Sequence, residues 1–565
     1  MPEPEQSRNP TRSQASYCFK AGGTSRPRLR RFGTTILLGA VLLAPSIWML
    51  SVVPPLWRDV DAWVQVLHPP GQGTILVYGP LYPFVARIPL YLGYAIDCIR
   101  VGAPLPKPAF LVHPILTDSG VFVLLLSQHV ALFCSAFNLI TLTSRFFWIR
   151  LIVAVAWAAN PLFYTFAHCV GSETLSMILL LLIGAIGLRI IRQRRRVPRK
   201  EWILLGILVW LCILCRHINA VLAGLLPITF IILAAYYSIT ALFARSQLLV
   251  RWRRLRARQA FQKSMVAFTV GISCIVLANA SLRALCRAAR IPYYSNAGFT
   301  FLFRLRFLAA LPPEKRSQLL DEVTKHTTST DVRQLILLLR NAFPTQDPHW
   351  NVMAFMKKTQ ASLFTPETDP QGQQFHLLLN RTEKAFLYPP TKILLTAVAA
   401  DFKRSQETTI PNVVRQLFAS TAYLLSVPEV MPVFAPLRTF RDKTAAQIMA
   451  GFKHAYFRRQ KNLSYRAFLV LWAVNLALFV VLARMRKENV AAVGSYTTAL
   501  TLAGLFMMLA NCILNEFQWR YTLPMWELTI ISSTVLFGKT MEYLFFHSNV
   551  QSVAFATTHR PIPQI

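Results

Sequence analysis

Acidic side chains are scarce in this chain: 24 Asp and Glu residues stand against 60 Lys and Arg, a formal charge of +36 over 565 residues. Charge of either sign is sparse, at 15 % of residues against 54 % hydrophobic, and the mean hydropathy is positive. Those values exclude a string of soluble domains and define a polytopic membrane protein. The basic excess does not call for a nucleic-acid partner, because Lys and Arg cluster beside apolar runs, where the positive-inside rule already accounts for them.

Other absences narrow the field. The nine cysteines are scattered, mostly within apolar runs. Cys212 and Cys215 form a CxxC with no second pair and no histidine cluster at zinc spacing, so they read as small buried hydrophobes. No disulfide framework or structural metal is indicated. Strand alternation is rare, no repeat of solenoid period occurs, and no two inverted halves are visible, which weakens a secondary-transporter reading.

What is abundant is long apolar sequence. A helix needs roughly 20 apolar residues to span a bilayer, and by that measure about ten spans are expected. The first, from Thr34 to Val53, lacks a small-residue cleavage site before Pro54-Pro55 and reads as uncleaved. The others centre near Phe133, Val155, Leu180, Leu208, Ile231, Ile275, Val474, Leu502 and Ser533. Alternation puts the N-terminal tail, Arg145 to Arg150, Arg189 to Lys200, Arg245 to Lys263 and Arg484 to Lys487 on one side, the cytoplasmic one.

The expected organisation is an all-α polytopic protein. It comprises a basic cytoplasmic tail (1–32), a membrane domain of seven spans (33–286) with a long first outer loop (54–118), an outer helical domain (287–464), three last spans (465–547) and a cytoplasmic C-terminal tail (548–565). In the outer domain Val332, Leu335, Ile336 and Leu339 repeat at one-face helical spacing. In the first loop Pro83, Arg87, Pro89 and Asp97 interrupt the apolar residues between Leu81 and Ile99, which suits a helix lying in the interface.

Polar residues then gather on the outer side. Trp57-Arg58-Asp59-Val60-Asp61-Ala62-Trp63 follows the first span, and in an extended or turn backbone Asp59 and Asp61 share one side, able to hold a hydroxyl, a cation or a divalent metal. His168, Glu173, the turn Arg216-His217-Ile218-Asn219, and Asn515, Glu516, Gln518 and Arg520 lie on the same face. Glu173 begins a helix, where an acid in the first turn favours the dipole and capping is a sufficient explanation. Arg216 and Arg520 offer fixed charge and bidentate donors suited to an anionic head group, and interfacial anchoring explains them equally. Arg87, Arg100, Arg304 and Arg306 are weaker candidates.

The order of these features resembles the GT-C superfamily of integral-membrane glycosyltransferases, which includes lipid A aminoarabinose transferases and protein mannosyltransferases. Four pieces carry the resemblance: Arg58-Asp59-Val60-Asp61; Gly79-Pro80-Leu81-Tyr82-Pro83; Asn160-Pro161-Leu162-Phe163-Tyr164 followed by Ser172-Glu173-Thr174-Leu175; and Arg520-Tyr521-Thr522-Leu523-Pro524. The resemblance implies transfer of a sugar from a polyprenyl-phosphate or diphosphate carrier to a lipid, glycan or protein acceptor at the outer face of a bacterial inner membrane. It implies Asp59 as base or acceptor binder with Asp61 as alternate, Arg216, Arg520 and His217 at the donor phosphate, and Glu173, Arg58 and Tyr521 nearby. A base and a few cations suffice for a single inverting displacement; if both aspartates hold a metal, they ligate it instead. The chain departs from the family pattern where Tyr78-Gly79 occupies the usual place of a basic residue, and where the outer domain interrupts the spans. A flippase for an anionic lipid and a non-catalytic scaffold are the competing classes. Two sequons, at Asn380 and Asn462, also fall on the outer side.

Overall fold

The computed structural model describes residues 26–53, 55–57, 66, 75, 79–193, 197–244, 246–342, 351–365, 367–369, 372–408, 412–415, 467–484, 488–515 and 517–558. Arg58, Asp59, Asp61, Glu516 and the Asn462 sequon lie outside the described residues. What is described is overwhelmingly helical. Six helices are long and apolar enough to cross a membrane, and seven if one bent pair counts as a single span.

Seven of the ten expected spans fall on these helices when the bent pair counts as one; those expected near Leu208, Val474 and Ser533 fall on helices outside that set. The first is α1 (Arg26–Val52), which starts inside the expected tail. An interfacial helix, α2 (Leu81–Val101), packs on α3 (Asp118–Thr143), whose N-terminus is capped by Thr117 accepting from the Gly120 N–H at 3.0 Å. The span expected near Val155 is broken: α4 (Phe147–Ala158) and α5 (Pro161–Ala167) meet at 61°. Asn160-Pro161 causes the break, because proline lacks the N–H that would continue α4 while Asn160 caps the next helix through Leu162 N at 3.0 Å. Trp157 and Phe163 stack across the bend at 4.3 Å.

Helix α6 (Ser172–Arg192) is the most buried of the spanning helices. Helix α7 (Arg199–Cys215) has only 17 residues, and a 3-10 turn (His217–Gly224) links it to α8 (Leu225–Leu242). The basic segment Arg245 to Lys263, expected as a loop, is instead mostly the first half of a 42-residue helix, α9 (Gln247–Ala288). Its arginines are good helix formers and nothing between Gln247 and Lys263 breaks the backbone. Near the C-terminus come α17 (Ala467–Arg484), α18 (Glu488–Leu514) and α19 (Leu523–Thr558). Glu527, Lys539 and several Ser and Thr residues make α19 less apolar than the candidate spans, and it runs helical past the expected boundary at 547.

Between α9 and α17 the described residues include the short helices α10 (Ala297–Arg304), α11 (Phe307–Ala310), α12 (Pro313–His326), α13 (Thr330–Asn341), α14 (Val352–Leu363), α15 (Gln373–Leu387) and α16 (Lys392–Glu407). The one-face residues of α13 are all buried. Glycine is required at 298, where a Cβ would collide with the α15 backbone at Leu379 and Asn380. Asn380 accepts from Gly298 N at 2.9 Å and donates to Ser295 O at 2.9 Å, and Thr382 is buried, so this sequon is occupied by the fold itself. Within the domain Asp401 on α16 pairs with buried Arg304 on α10, and the domain packs on α18 through both of these helices, with Arg404 4.6 Å from the Phe517 ring just past α18.

His376 on α15 stacks on Tyr294 at 4.1 Å, and burial pushes its imidazole down to about 4 against a smaller opposing pull from Asp369. Below the ordinary pKa of about 6.5 the unfolded chain takes up a proton that the folded domain refuses until about pH 4. Stability is therefore expected to fall as pH drops from 6.5 toward 4. Thermal unfolding midpoints across that range should slope downward in the wild type and flatten in His376→Phe, which keeps the stacked ring; equal slopes would refute the assignment.

Candidate functional site

A cavity of about 510 Å³ opens where the outer domain meets the ends of α6, α9 and α18, lined by Arg216, His217, Arg520, Tyr521, Tyr294 and Asn511 among others. Five side chains singled out from the sequence, Asn515 with Arg216, His217, Arg520 and Tyr521, drawn from two separate turns, thus face one space. Glu173 reaches the same place from α6: its Oε1 lies 3.6 Å from Arg216 Nη1, with the carboxylate almost fully buried and the guanidinium 13 % exposed. The Tyr521 ring lies 5.3 Å from the Arg520 guanidinium and 5.9 Å from that of Arg216, so one aromatic ring serves two cations.

Local backbone chemistry sets Arg216. It follows the last turn of α7 in an extended conformation, its N–H still donating to Cys212 O at 3.1 Å. Asn219 then pins the turn, donating from Nδ2 to Cys212 O and to Ser176 Oγ, both at 2.9 Å. Gly79, with φ of +89°, presses on the other side; a Cβ there would stand 2.5 Å from Cys215 O and 2.6 Å from Leu214 O. Only glycine tolerates both the conformation and the approach.

The turn that leads into Glu173 is held by a second set of contacts. The Tyr82 hydroxyl accepts from Gly171 N at 2.9 Å and donates to Gln128 Oε1 at 3.2 Å, while Gln128 Nε2 donates to Ala167 O and Cys169 O at 3.0 and 3.2 Å. Burial pushes the Tyr82 phenol well above its usual range and keeps it a neutral donor. The Gly79-to-Pro83 stretch therefore braces both partners of the ion pair, a positioning role that spacing alone did not reveal.

Next to it runs a two-residue parallel ladder, β1 (Leu56–Trp57) on β2 (Cys169–Val170), with Trp57 opposite Val170. The chain thus leaves the ladder toward Asp59 from a point paired three residues before Glu173. His168 lies beneath. Its Nε2 bonds Val53 O at 2.9 Å, its Nδ1 meets His129 Nε2 at 3.0 Å, and His129 Nδ1 meets Ser46 Oγ at 3.0 Å. A carbonyl can only accept, so the chain is assigned as Ser46 donating to His129, His129 to His168 and His168 to Val53. His168 is fully buried and serves as a strut, not as a cavity residue.

The weaker candidates go elsewhere. Arg87 is buried and donates to Val66 O and Leu111 O at 3.1 and 2.8 Å, strapping the first loop. Arg100 pairs with Asp97 at 3.8 Å, and Arg304 with Asp401. Tyr294 and Asn511 were not anticipated as lining residues; the signal was the polar and aromatic run Tyr293-Tyr294-Ser295-Asn296 just past a long helix. Among the described residues no group of three or more His, Cys, Asp or Glu side chains is arranged to hold a metal ion. Comparison with protein-family models, curated proteins and solved structures returned no match.

Gly79→Ala is expected to lower the unfolding midpoint clearly more than Gly102→Ala, because Gly102 shares the positive φ but has nothing within 4 Å of a new Cβ. The control should lose about 1 kcal/mol. Similar losses in the two variants would show that the Cys215 contact is not a constraint.

Proposed function

We propose that this protein is a glycosyltransferase that moves a sugar from a polyprenyl-phosphate-type carrier to an acceptor hydroxyl or amine, using this cavity as the donor-phosphate site. One observation carries the reading: Arg216, His217 and Arg520 line a single cavity at the ends of spanning helices, with Glu173 buried behind Arg216. Guanidinium groups hold a phosphate through paired N–H donors, and they hold it best when the developing charge on the leaving group meets donors already in place. A buried carboxylate keeps one of them fixed when no ligand is bound.

In the reaction the acceptor oxygen or nitrogen attacks the anomeric carbon and the bond from that carbon to the phosphate oxygen breaks. The electron pair leaves on polyprenyl phosphate, stabilised by Arg216 and Arg520, and the acceptor proton passes to Asp59, with Asp61 as the alternate base. One displacement inverts the anomeric centre. If a divalent metal takes part, Asp59 and Asp61 are its ligands. The finer architecture belongs to the same proposal: ten spans formed by adding α7, α17 and α19 to the seven, a GT-C-like arrangement, and a bacterial inner membrane with both termini cytoplasmic.

Membranes carrying Asp59→Asn or Arg520→Ala, supplied with a radiolabelled polyprenyl-phosphate sugar, are expected to lose at least a hundredfold in transfer at normal expression. Transfer retained by both variants overturns the assignment. For orientation, Thr328→Cys should react with an impermeant maleimide on intact cells and Lys200→Cys only after lysis; the reverse pattern would invert the topology.

A further inference from the structure

The helices that meet at the large cavity also frame a second recess at their opposite ends. α6 carries the chain from Ser172 to Arg192, about 30 Å at 1.5 Å per residue. At that far end Gln193, Tyr237, Arg256, Gln259 and Lys263 surround a cleft of about 50 Å³. That is far below the roughly 300–1,000 Å³ of pockets that enclose a whole small molecule, and suits a head-group fragment whose remainder stays outside.

The chemistry of the walls points to an anion. Lys263 is half-buried with its ammonium 5.9 Å from the Phe230 ring, and it spends one donor on Gln193 O at 2.7 Å. Two donors remain to serve the cleft. The Arg256 guanidinium rests 5.3 Å from the Trp252 ring, with Gln259 Oε1 3.4 Å from its Nη1. The rim is apolar and exposed: Ile239 on α8 and Phe261 and Met265 on α9. Cations at a helix end beside exposed aliphatic and aromatic side chains match a phospholipid, with phosphate in the cleft and chains along the rim.

We infer that the cleft between α6, α8, α9 and α18 binds the phosphate of an anionic phospholipid, at a site separate from the cavity of Arg216 and Arg520. The occupant is a membrane lipid, because the opening is flanked by hydrophobic surface that a free phosphate would leave exposed. Lys263 and Arg256 contact the phosphate, while the cation-bearing first half of α9 holds the surrounding head groups by longer-range attraction.

The test uses full-length protein in neutral detergent, titrated with phosphatidylglycerol or phosphatidylcholine and read by native mass spectrometry. Phosphatidylglycerol is expected to bind at least tenfold more tightly. The double variant Arg256→Gln, Lys263→Gln should abolish that preference, Lys263→Arg should retain it, and Arg251→Gln with Arg254→Gln, which removes equal charge from exposed positions, should leave it nearly unchanged. Equal binding of the two lipids by the wild type overturns the inference without recourse to any variant. So does an equal loss in both double variants, which would reduce the effect to general charge. Displacement of phosphatidylglycerol by millimolar inorganic phosphate alone would assign the cleft to a free anion and overturn the lipid as occupant.

Discussion

A carboxylate buried at the end of an apolar helix must find a cation, and in this molecule that demand organises everything around it. Glu173 is about as deeply buried as any acid in the described residues, and its partner Arg216 comes from a different helix end. Leaving either charge alone in a low-dielectric setting costs several kcal/mol, so the pair fixes how α6 and α7 approach one another. The surrounding hydrogen bonds follow from that requirement. Asn219 and Gly79 set the Arg216 turn, and Tyr82 and Gln128 set the Gly171 turn.

A second buried ion pair lies inside the domain of short helices, which also reaches the cavity. Arg304 is buried against Asp401, and Tyr294 connects α9 to α15 through its stacked contact with His376 while lining the cavity. The domain is therefore part of the cavity wall. Placing a small helical domain over the ends of α6, α9 and α18 encloses the cavity on a side that the membrane helices leave open.

The two ends of the bundle differ in their electrostatics. At one end cations converge on a cavity with a buried carboxylate among them; at the other, cations ride on α9 with no acid on that helix. The first arrangement is fixed by an ion pair and positions one ligand group. The second is laid out along a helix flank, the layout that suits a surface of many head groups.

Much of this was legible without coordinates. Long apolar runs require helices in lipid, where every backbone polar group must be satisfied within the segment, and the segregation of Lys and Arg orders their ends. The face shared by Arg216, His217, Arg520 and Tyr521 followed from that ordering alone. Sequence could not show that the Val155 span breaks at Asn160-Pro161 and bends by 61°, because a proline reads equally as a kink or a helix start. It could not show that the Arg245 to Lys263 segment is helix, since charge reports sidedness and says nothing of backbone. Nor could it separate His168, a buried strut, from Arg216, a cavity wall, since both lie at helix ends on the same expected side. Distances between segments far apart in the chain are set by packing, and only the tertiary structure brings Tyr82 to Gly171, Glu173 to Arg216 and Tyr521 between two guanidinium groups.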